Sequence, residues 1–123
     1  MNIPEHLYYT KDHEWIKIEN DIAIIGITDF AQSELGDIIF VELPEIGQIF
    51  NSGDSIGTIE AVKTVADIYS PIDGEIVQIN NILEDQPELI NNDSYISGWI
   101  VKIKFKNLEE DQLLTPNNYK NML

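Results

Sequence analysis

The sequence predicts a mainly β fold, a sandwich or flattened barrel of short strands with a few short helices. Three observations carry that expectation. Apolar and polar residues alternate at the two-residue period of a half-buried strand over Glu14–Glu19, and again from Gly98 to Lys106. Turn-forming groups such as Pro71-Ile72-Asp73-Gly74 separate short β-rich runs. The hexapeptide Gly36-Asp37-Ile38-Ile39-Phe40-Val41 is echoed by Gly74-Glu75-Ile76-Val77-Gln78-Ile79, as a fold of two similar halves would leave behind.

Taken in order, residues 1–13 read as an irregular lead-in with an aromatic pair, Tyr8-Tyr9. Glu14–Glu19 puts Ile16 and Ile18 on one face and Trp15 and Lys17 on the other. Asn20-Asp21 turns the chain into a second strand over Ile22–Ile27, making a hairpin. Thr28–Gly36 reads as a short helix, with Asp29 and Gln32 at capping-box spacing and Gly36 as its C-terminal glycine. Asp37–Leu43 is apolar on both faces and is expected deep in the fold, stopped by Pro44. Gly47 and Gly53 punctuate the loops that follow.

Read from the residues alone, Ser55–Tyr69 is one long strand, because Val62-Lys63 lacks the Asn-Gly or Asp-Gly signal of a tight hairpin. Glu75–Asn80 is another strand, and Gln86–Ile90 a helical turn beginning at Pro87. In the strand opened by Gly98, Trp99, Val101, Ile103 and Phe105 share one face, and Lys102, Lys104 and Lys106 share the other. Asn107 with Glu110, and Thr115 with Pro116, each read as a helix start. The expectation is a single domain over residues 1–123, its core at about 14–106 and its C-terminal helices at about 108–122. Trp15 and Trp99 are expected core residues.

Composition removes several classes of function. With 43% hydrophobic residues the chain is expected to fold. No apolar run approaches the roughly 20 residues of a membrane span, and the N-terminus has neither a basic n-region nor an apolar h-region. Twenty-two acidic residues against seven lysines give a net charge of −15, which repels phosphate backbones and anionic membranes. Neither nucleic acid nor a membrane is therefore an expected partner. The charge confers solubility, or steers partners that carry basic patches. Without cysteine there is no disulfide, thiolate nucleophile or thiolate metal site. His6 and His13 alone make no metal site, so no metal is expected.

Lys63 stands out. It is the only basic residue between Glu19 and Val101, within the β-forming run Gly57-Thr58-Ile59-Glu60-Ala61-Val62-Lys63-Thr64-Val65-Ala66-Asp67-Ile68-Tyr69-Ser70-Pro71. A lysine singled out by a modifying enzyme has this look, and so does an ordinary surface lysine.

Ordered features along nearly the whole chain decide between the two. They run from Tyr9-Thr10 and His13-Glu14-Trp15 through Gly26-Ile27-Thr28-Asp29-Phe30-Ala31-Gln32 and Leu35-Gly36-Asp37-Ile38. Phe40-Val41-Glu42-Leu43-Pro44, Glu60-Ala61-Val62-Lys63, Ser70-Pro71, Gly74-Glu75, Leu89-Ile90-Asn91 and Gly98-Trp99 continue them. In these the chain resembles the glycine cleavage system H proteins, the lipoyl carriers of that system. The resemblance implies a lipoyl/biotinyl-domain-like hybrid fold, a flattened sandwich of two antiparallel sheets with approximate two-fold symmetry. It also folds the 55–69 run back at Val62-Lys63, putting Lys63 at a hairpin tip as the site of covalent lipoate attachment.

The resemblance further implies a non-catalytic carrier that takes the aminomethyl intermediate from a pyridoxal-phosphate glycine decarboxylase to a tetrahydrofolate-dependent aminomethyltransferase. Its dithiol then goes to dihydrolipoyl dehydrogenase, and a lipoate ligase or octanoyltransferase loads Lys63, with Glu60, Val62 and Thr64 in its recognition. Glu14 and Asp67 are implied to line a cleft that shelters the intermediate and supplies carboxylates to its amine, with Asp12 as a third acceptor. A monomer is expected, in the bacterial cytoplasm, or in the mitochondrial matrix if the source is eukaryotic and a transit peptide has been removed.

Two departures are visible: Ala61 and Thr64 where many members have serine and alanine, and Ser94 where proline is common. Val62 and Thr64 argue against a biotin acceptor, in which methionine usually flanks the lysine. A lipoyl domain of a 2-oxo acid dehydrogenase and a donor role in lipoyl relay to other proteins are the alternatives of the same class. A free-standing enzyme is the alternative of another class, for which no nucleophile or convergent base is evident. Without the resemblance, Asp67 would read as an exposed strand residue and Glu14 as part of a solvated face.

Overall fold

The computed structural model describes all residues from Met1 to Leu123. Its strands are β1 (Tyr8–Tyr9), β2 (Glu14–Glu19), β3 (Ile22–Ile27), β4 (Ile38–Glu42), β5 (Ile49–Phe50), β6 (Ser55–Ala61), β7 (Val65–Tyr69), β8 (Gly74–Ile79) and β9 (Val101–Lys104). They form two antiparallel sheets, one in the order β1-β2-β3-β9-β8-β5 and a smaller one in the order β4-β6-β7. The main core lies between them. Ile16, Ile25, Ile76 and Ile103 come from the larger sheet and Ile38, Val41, Ile59 and Ile68 from the smaller, all buried in one cluster. The echoing hexapeptides fall in different sheets, β4 on an edge and β8 in an interior position.

The expected hairpin of β2 and β3 is present, and Asn20 makes its turn with a φ of 58° in place of glycine. Helix α1 (Asp29–Leu35) is also present, but its cap is Thr28, whose hydroxyl accepts from Ala31 N–H at 3.2 Å. Asp29 instead accepts from the Gln32 side chain at 2.8 Å. Gly36, at φ +79°, ends the helix by donating its N–H to Gln32 O.

Four expectations are corrected. The segment before residue 14 is not irregular throughout. Tyr8–Tyr9 pairs with Ile16 and Trp15, and Tyr9 also bridges to Leu114. Leu7, Tyr9, Trp15 and Tyr119 form a second buried cluster in which Tyr9 and Tyr119 stack at 4.7 Å. Asp37–Leu43 is not deep on both faces. β4 is the edge strand of the small sheet, and an irregularity between Ile38 and Phe40 turns Ile39 and Phe40 outward.

The third correction concerns helices. The 81–95 region contains two, α2 (Ile82–Asp85) and α3 (Leu89–Asn92), whereas Asn107 starts none and only a 3₁₀ turn forms at Glu110–Gln112. Helix α4 (Pro116–Met122) begins as the sequence predicts, capped by the Thr115 hydroxyl.

The fourth concerns Trp99, which is half-buried at the margin of the second cluster, with the Lys102 ammonium 5.1 Å from its ring centroid. Ile100 takes the fully buried place beside Val101. Trp15 is 1% exposed and donates its indole N–H to Ser94 O at 3.0 Å. Trp15→Ala should therefore cost about 3–5 kcal/mol in urea unfolding. Trp99→Ala should cost clearly less, because its ring already contacts water. Equal losses would contradict this division of the two indoles.

Candidate functional site

β6 and β7 pair from Ser55–Tyr69 to Glu60–Val65, so the 55–69 run is folded back as the family resemblance implies and not continuous. Ala61 N–H donates to Thr64 O at 2.8 Å and closes the reversal around Val62-Lys63-Thr64. Val62 N–H donates to Asp37 O at 3.0 Å, which ties the tip to the start of β4. Lys63 is exposed and makes no ion pair. Its stem lies against Gly36, where an added β-carbon would sit 3.4 Å from Lys63 Cε. Gly36 is needed for its positive φ, and a β-carbon there would only touch the lysine stem. The ammonium also lies at the C-terminal end of α1, where a cation is favoured.

Asn91 holds the ground beneath this tip. Its Oδ1 accepts from Ile38 N–H at 3.0 Å, and its Nδ2 donates to Gly36 O at 2.8 Å and Gln32 Oε1 at 3.0 Å. One side chain on α3 thereby joins the end of α1 to the start of β4. The sequence contains Asn91 within Leu89-Ile90-Asn91, but nothing local reveals that its partners lie more than fifty residues away.

A cleft of about 380 Å³ opens between α1, the turn preceding β2 and the strands β6 and β7. Glu34 and Leu35 line it at the end nearest Gly36, and hence nearest Lys63. Asp12, Glu14 and Asp67 all line it, so the structure brings together the three carboxylates the sequence singled out. Asp12 and Asp67 are exposed. Asp67 has only long contacts, 3.5 Å from the hydroxyls of Ser55 and Tyr69.

Glu14 differs sharply. At 2% exposed it is buried, not part of a solvated face. His13, at φ 67°, turns the chain into β2 just before it. Glu14 Oε1 accepts from the Thr10 hydroxyl at 2.9 Å, and Oε2 accepts from Tyr69 N–H at 3.0 Å, so one carboxyl links the two sheets. Burial pushes its pKa from 4.5 up to about 7, against those two hydrogen bonds, with Asp12 adding to the rise.

His13 lines the same wall. Its ring packs 4.7 Å from Phe30, and Nδ1 meets the Tyr119 hydroxyl at 2.9 Å. These contacts hold the ring in place, and no cluster of three potential metal ligands is present. Of the other residues singled out for recognition, Val62 and Thr64 flank the tip, while Glu60 lies between Phe40 and Val65 across the strands. Thr10, Tyr69 and Asn91 were not assigned roles from sequence, because their importance rests on non-local partners.

Glu14 binds its proton more tightly in the folded protein than in the unfolded chain. Its contribution to stability is fully present below about pH 4.5 and is lost as the pH rises through about 7. Glu14→Gln should flatten the fall in stability across that window and be more stable than the parent above it, by about 1–3 kcal/mol. Urea unfolding at several pH values measures this; parallel pH profiles for the two proteins would contradict it. Asn91→Ala leaves the Ile38 amide and Gly36 carbonyl without their partner and should cost about 1–3 kcal/mol. Amide exchange should quicken at Ile38 and Val62 while β2 and β3 stay protected; uniform quickening would count against a local tether.

Comparison with known proteins agrees with this arrangement. The family model for the glycine cleavage H-protein matches residues 7–123. The glycine cleavage system H protein of Listeria monocytogenes serotype 4a (strain HCC23) is 50% identical over 124 residues, covering 100% of this chain and 99% of that protein. Those of Listeria innocua and Rubrobacter xylanophilus are 52% and 50% identical over 121 residues, each covering 98% of this chain and 97% and 94% of the relative. A crystal structure of a glycine cleavage system H protein from Mycobacterium marinum superposes with a TM-score of 0.90 at 39% identity, covering 98% of this chain and all of that one. An exposed hairpin lysine beside a cleft, on a fold and sequence shared end to end with these proteins, places the chain in the glycine cleavage H-protein family, the non-catalytic lipoyl carriers of the glycine cleavage system.

Proposed function

We propose that Lys63 is the residue that carries lipoate and that the cleft beside it shelters the carried one-carbon unit. The observation supporting this most directly is the placement of Lys63, exposed at the tip of β6–β7, unpaired, and resting on Gly36 at the cleft's end. An amine so placed can be surrounded by a modifying enzyme. Its nitrogen, after losing a proton, attacks the activated carboxyl carbon of the donor. The amide forms, the donor's leaving group departs, and the net charge moves from −15 to −16 as one cation is lost.

The residues of the cleft suit an arm attached there. Lys63 would hold the lipoyl group, whose dithiolane would supply a sulfur to bond the carbon unit as its S–S bond opens and the other sulfur becomes a thiol. Ile27, Phe30, Leu35 and Ile59 provide apolar walls. Asp67 and Asp12 offer carboxylates to a cationic amine at the mouth. Glu14, near the midpoint of its titration at neutral pH, accepts or holds a proton deeper in. The low dielectric at Glu14 strengthens that interaction.

In this reading residues 1–123 act as one carrier domain, monomeric and cytoplasmic in a bacterium. Its partners are the pyridoxal-phosphate glycine decarboxylase, the tetrahydrofolate-dependent aminomethyltransferase, dihydrolipoyl dehydrogenase and the ligase or octanoyltransferase that loads it. Recognition by that loading enzyme involves Glu60, Val62 and Thr64 around the lysine. Peptide mass analysis after incubation with lipoate, ATP and a lipoate ligase tests the central assignment. The lipoyl increment should appear only on the peptide containing Lys63 and be absent from folded Lys63→Arg; an increment elsewhere, or none, would refute it.

A further inference from the structure

The register of the small sheet arranges an exposed surface beside Lys63 that the cleft does not use. Phe40 lies opposite Glu60, and Glu60 opposite Val65, across the three strands. Phe40 is 49% exposed, Val65 62%, and Val62 at the tip 73%. On the next row Glu42 lies opposite Thr58, with its carboxylate exposed. Cross-strand neighbours on one face lie about 5 Å apart, so Phe40 and Val65 each flank Glu60, with Val62 two residues beyond Glu60 toward the tip. Exposed apolar groups gathered around one acid in this way mark an interaction surface, whereas isolated ones need no explanation.

We propose that this outward face of β4, β6 and β7 is the docking surface for the enzyme that acylates Lys63. That enzyme would present an apolar strip rimmed by lysine or arginine. The inference rests on Lys63 being the attachment site, and it narrows the occupant by reach. Only the acylating enzyme must bring its active site to Nζ itself. Every later partner acts at the far end of a flexible arm and need not cover the strands flanking the lysine. The Lys63 stem rests on Gly36 but its exposed head makes no ion pair, so the rigid strands on either side must set the approach to it.

Charge complementarity argues for the rim. Glu42 and Glu60 are exposed on the strands leading to Lys63, and acylation neutralises that lysine. A basic partner therefore meets a more anionic face once the reaction is done. The apolar groups around Glu60, with Phe40 the largest, supply the contact that excludes water around the amine. Phe40 is the informative residue, because it comes from a strand far from the lysine in sequence. Recognition of a linear peptide around Lys63 would not depend on it.

The test is steady-state acylation of the full-length apo protein by a lipoate ligase, comparing the parent with Phe40→Ser and Glu60→Gln. Phe40→Ser should raise KM about tenfold with kcat changed less than twofold. Glu60→Gln should raise KM and weaken its dependence on ionic strength. Each variant, once loaded by prolonged incubation, should be turned over by dihydrolipoyl dehydrogenase at the parental rate. If Phe40→Ser does not fold, Val65→Thr, which keeps a β-branched side chain, is used for the same measurement with the same expectation. Unchanged KM in folded variants, or equal losses with both enzymes, would overturn the proposal. Failure of the parent itself to accept lipoyl at Lys63 would overturn instead the assignment on which it rests.

Discussion

The position of the reactive hairpin depends on the side chain of Asn91. Its amide accepts from Ile38 N–H and donates to Gly36 O, the backbone that joins α1 to β4, and also donates to the Gln32 side chain. The next residue along, Asp37, then offers its carbonyl to Val62 at the tip. A hairpin projecting from a small sheet has few contacts of its own, and its tip would otherwise be free to fray. The Asn91 anchor and the Gly36 surface give Lys63 a fixed root while leaving its nitrogen in water. The stem is thus placed by the fold while the amine stays accessible.

Glu14 sets the electrostatic character of that cleft. Its two hydrogen bonds connect the loop before β2 with the end of β7, and so connect the two sheets at the cleft floor. Desolvation outweighs those bonds and raises the carboxyl toward neutrality. The exposed Asp12 and Asp67 complete a gradient from solvated carboxylates at the mouth to a poorly solvated one within.

The same small sheet has a different character on its other side. An inner row of Val41, Ile59 and Ala66 faces the core and cleft, while Phe40, Glu60 and Val65 face outward. One hairpin thus presents two surfaces, one to the core and cleft and one to solvent. The division follows from the alternation of side chains along a strand. The C-terminal helix supports the sheltering side, since Tyr119 on α4 reaches both Thr28 at the start of α1 and His13 on the cleft wall.

The sequence by itself determined the β class, the β2–β3 hairpin, the C-terminal glycine of α1 and the start of α4. Each rests on spacing or on chemistry between near neighbours, which a chain displays wherever it is read. The ordered family features added the lysine and its turn, where the residues alone had suggested an unbroken strand. Only the tertiary structure decided that Glu14 is buried, that Phe40 is exposed, and that Trp99 is marginal while Trp15 is central. It also decided what Asn91 holds. Those properties depend on which distant segment arrives on the other side: an edge position for β4, the amide of Tyr69 over Glu14, Lys102 over Trp99. Alternation names the two faces of a strand; packing alone assigns one of them to water.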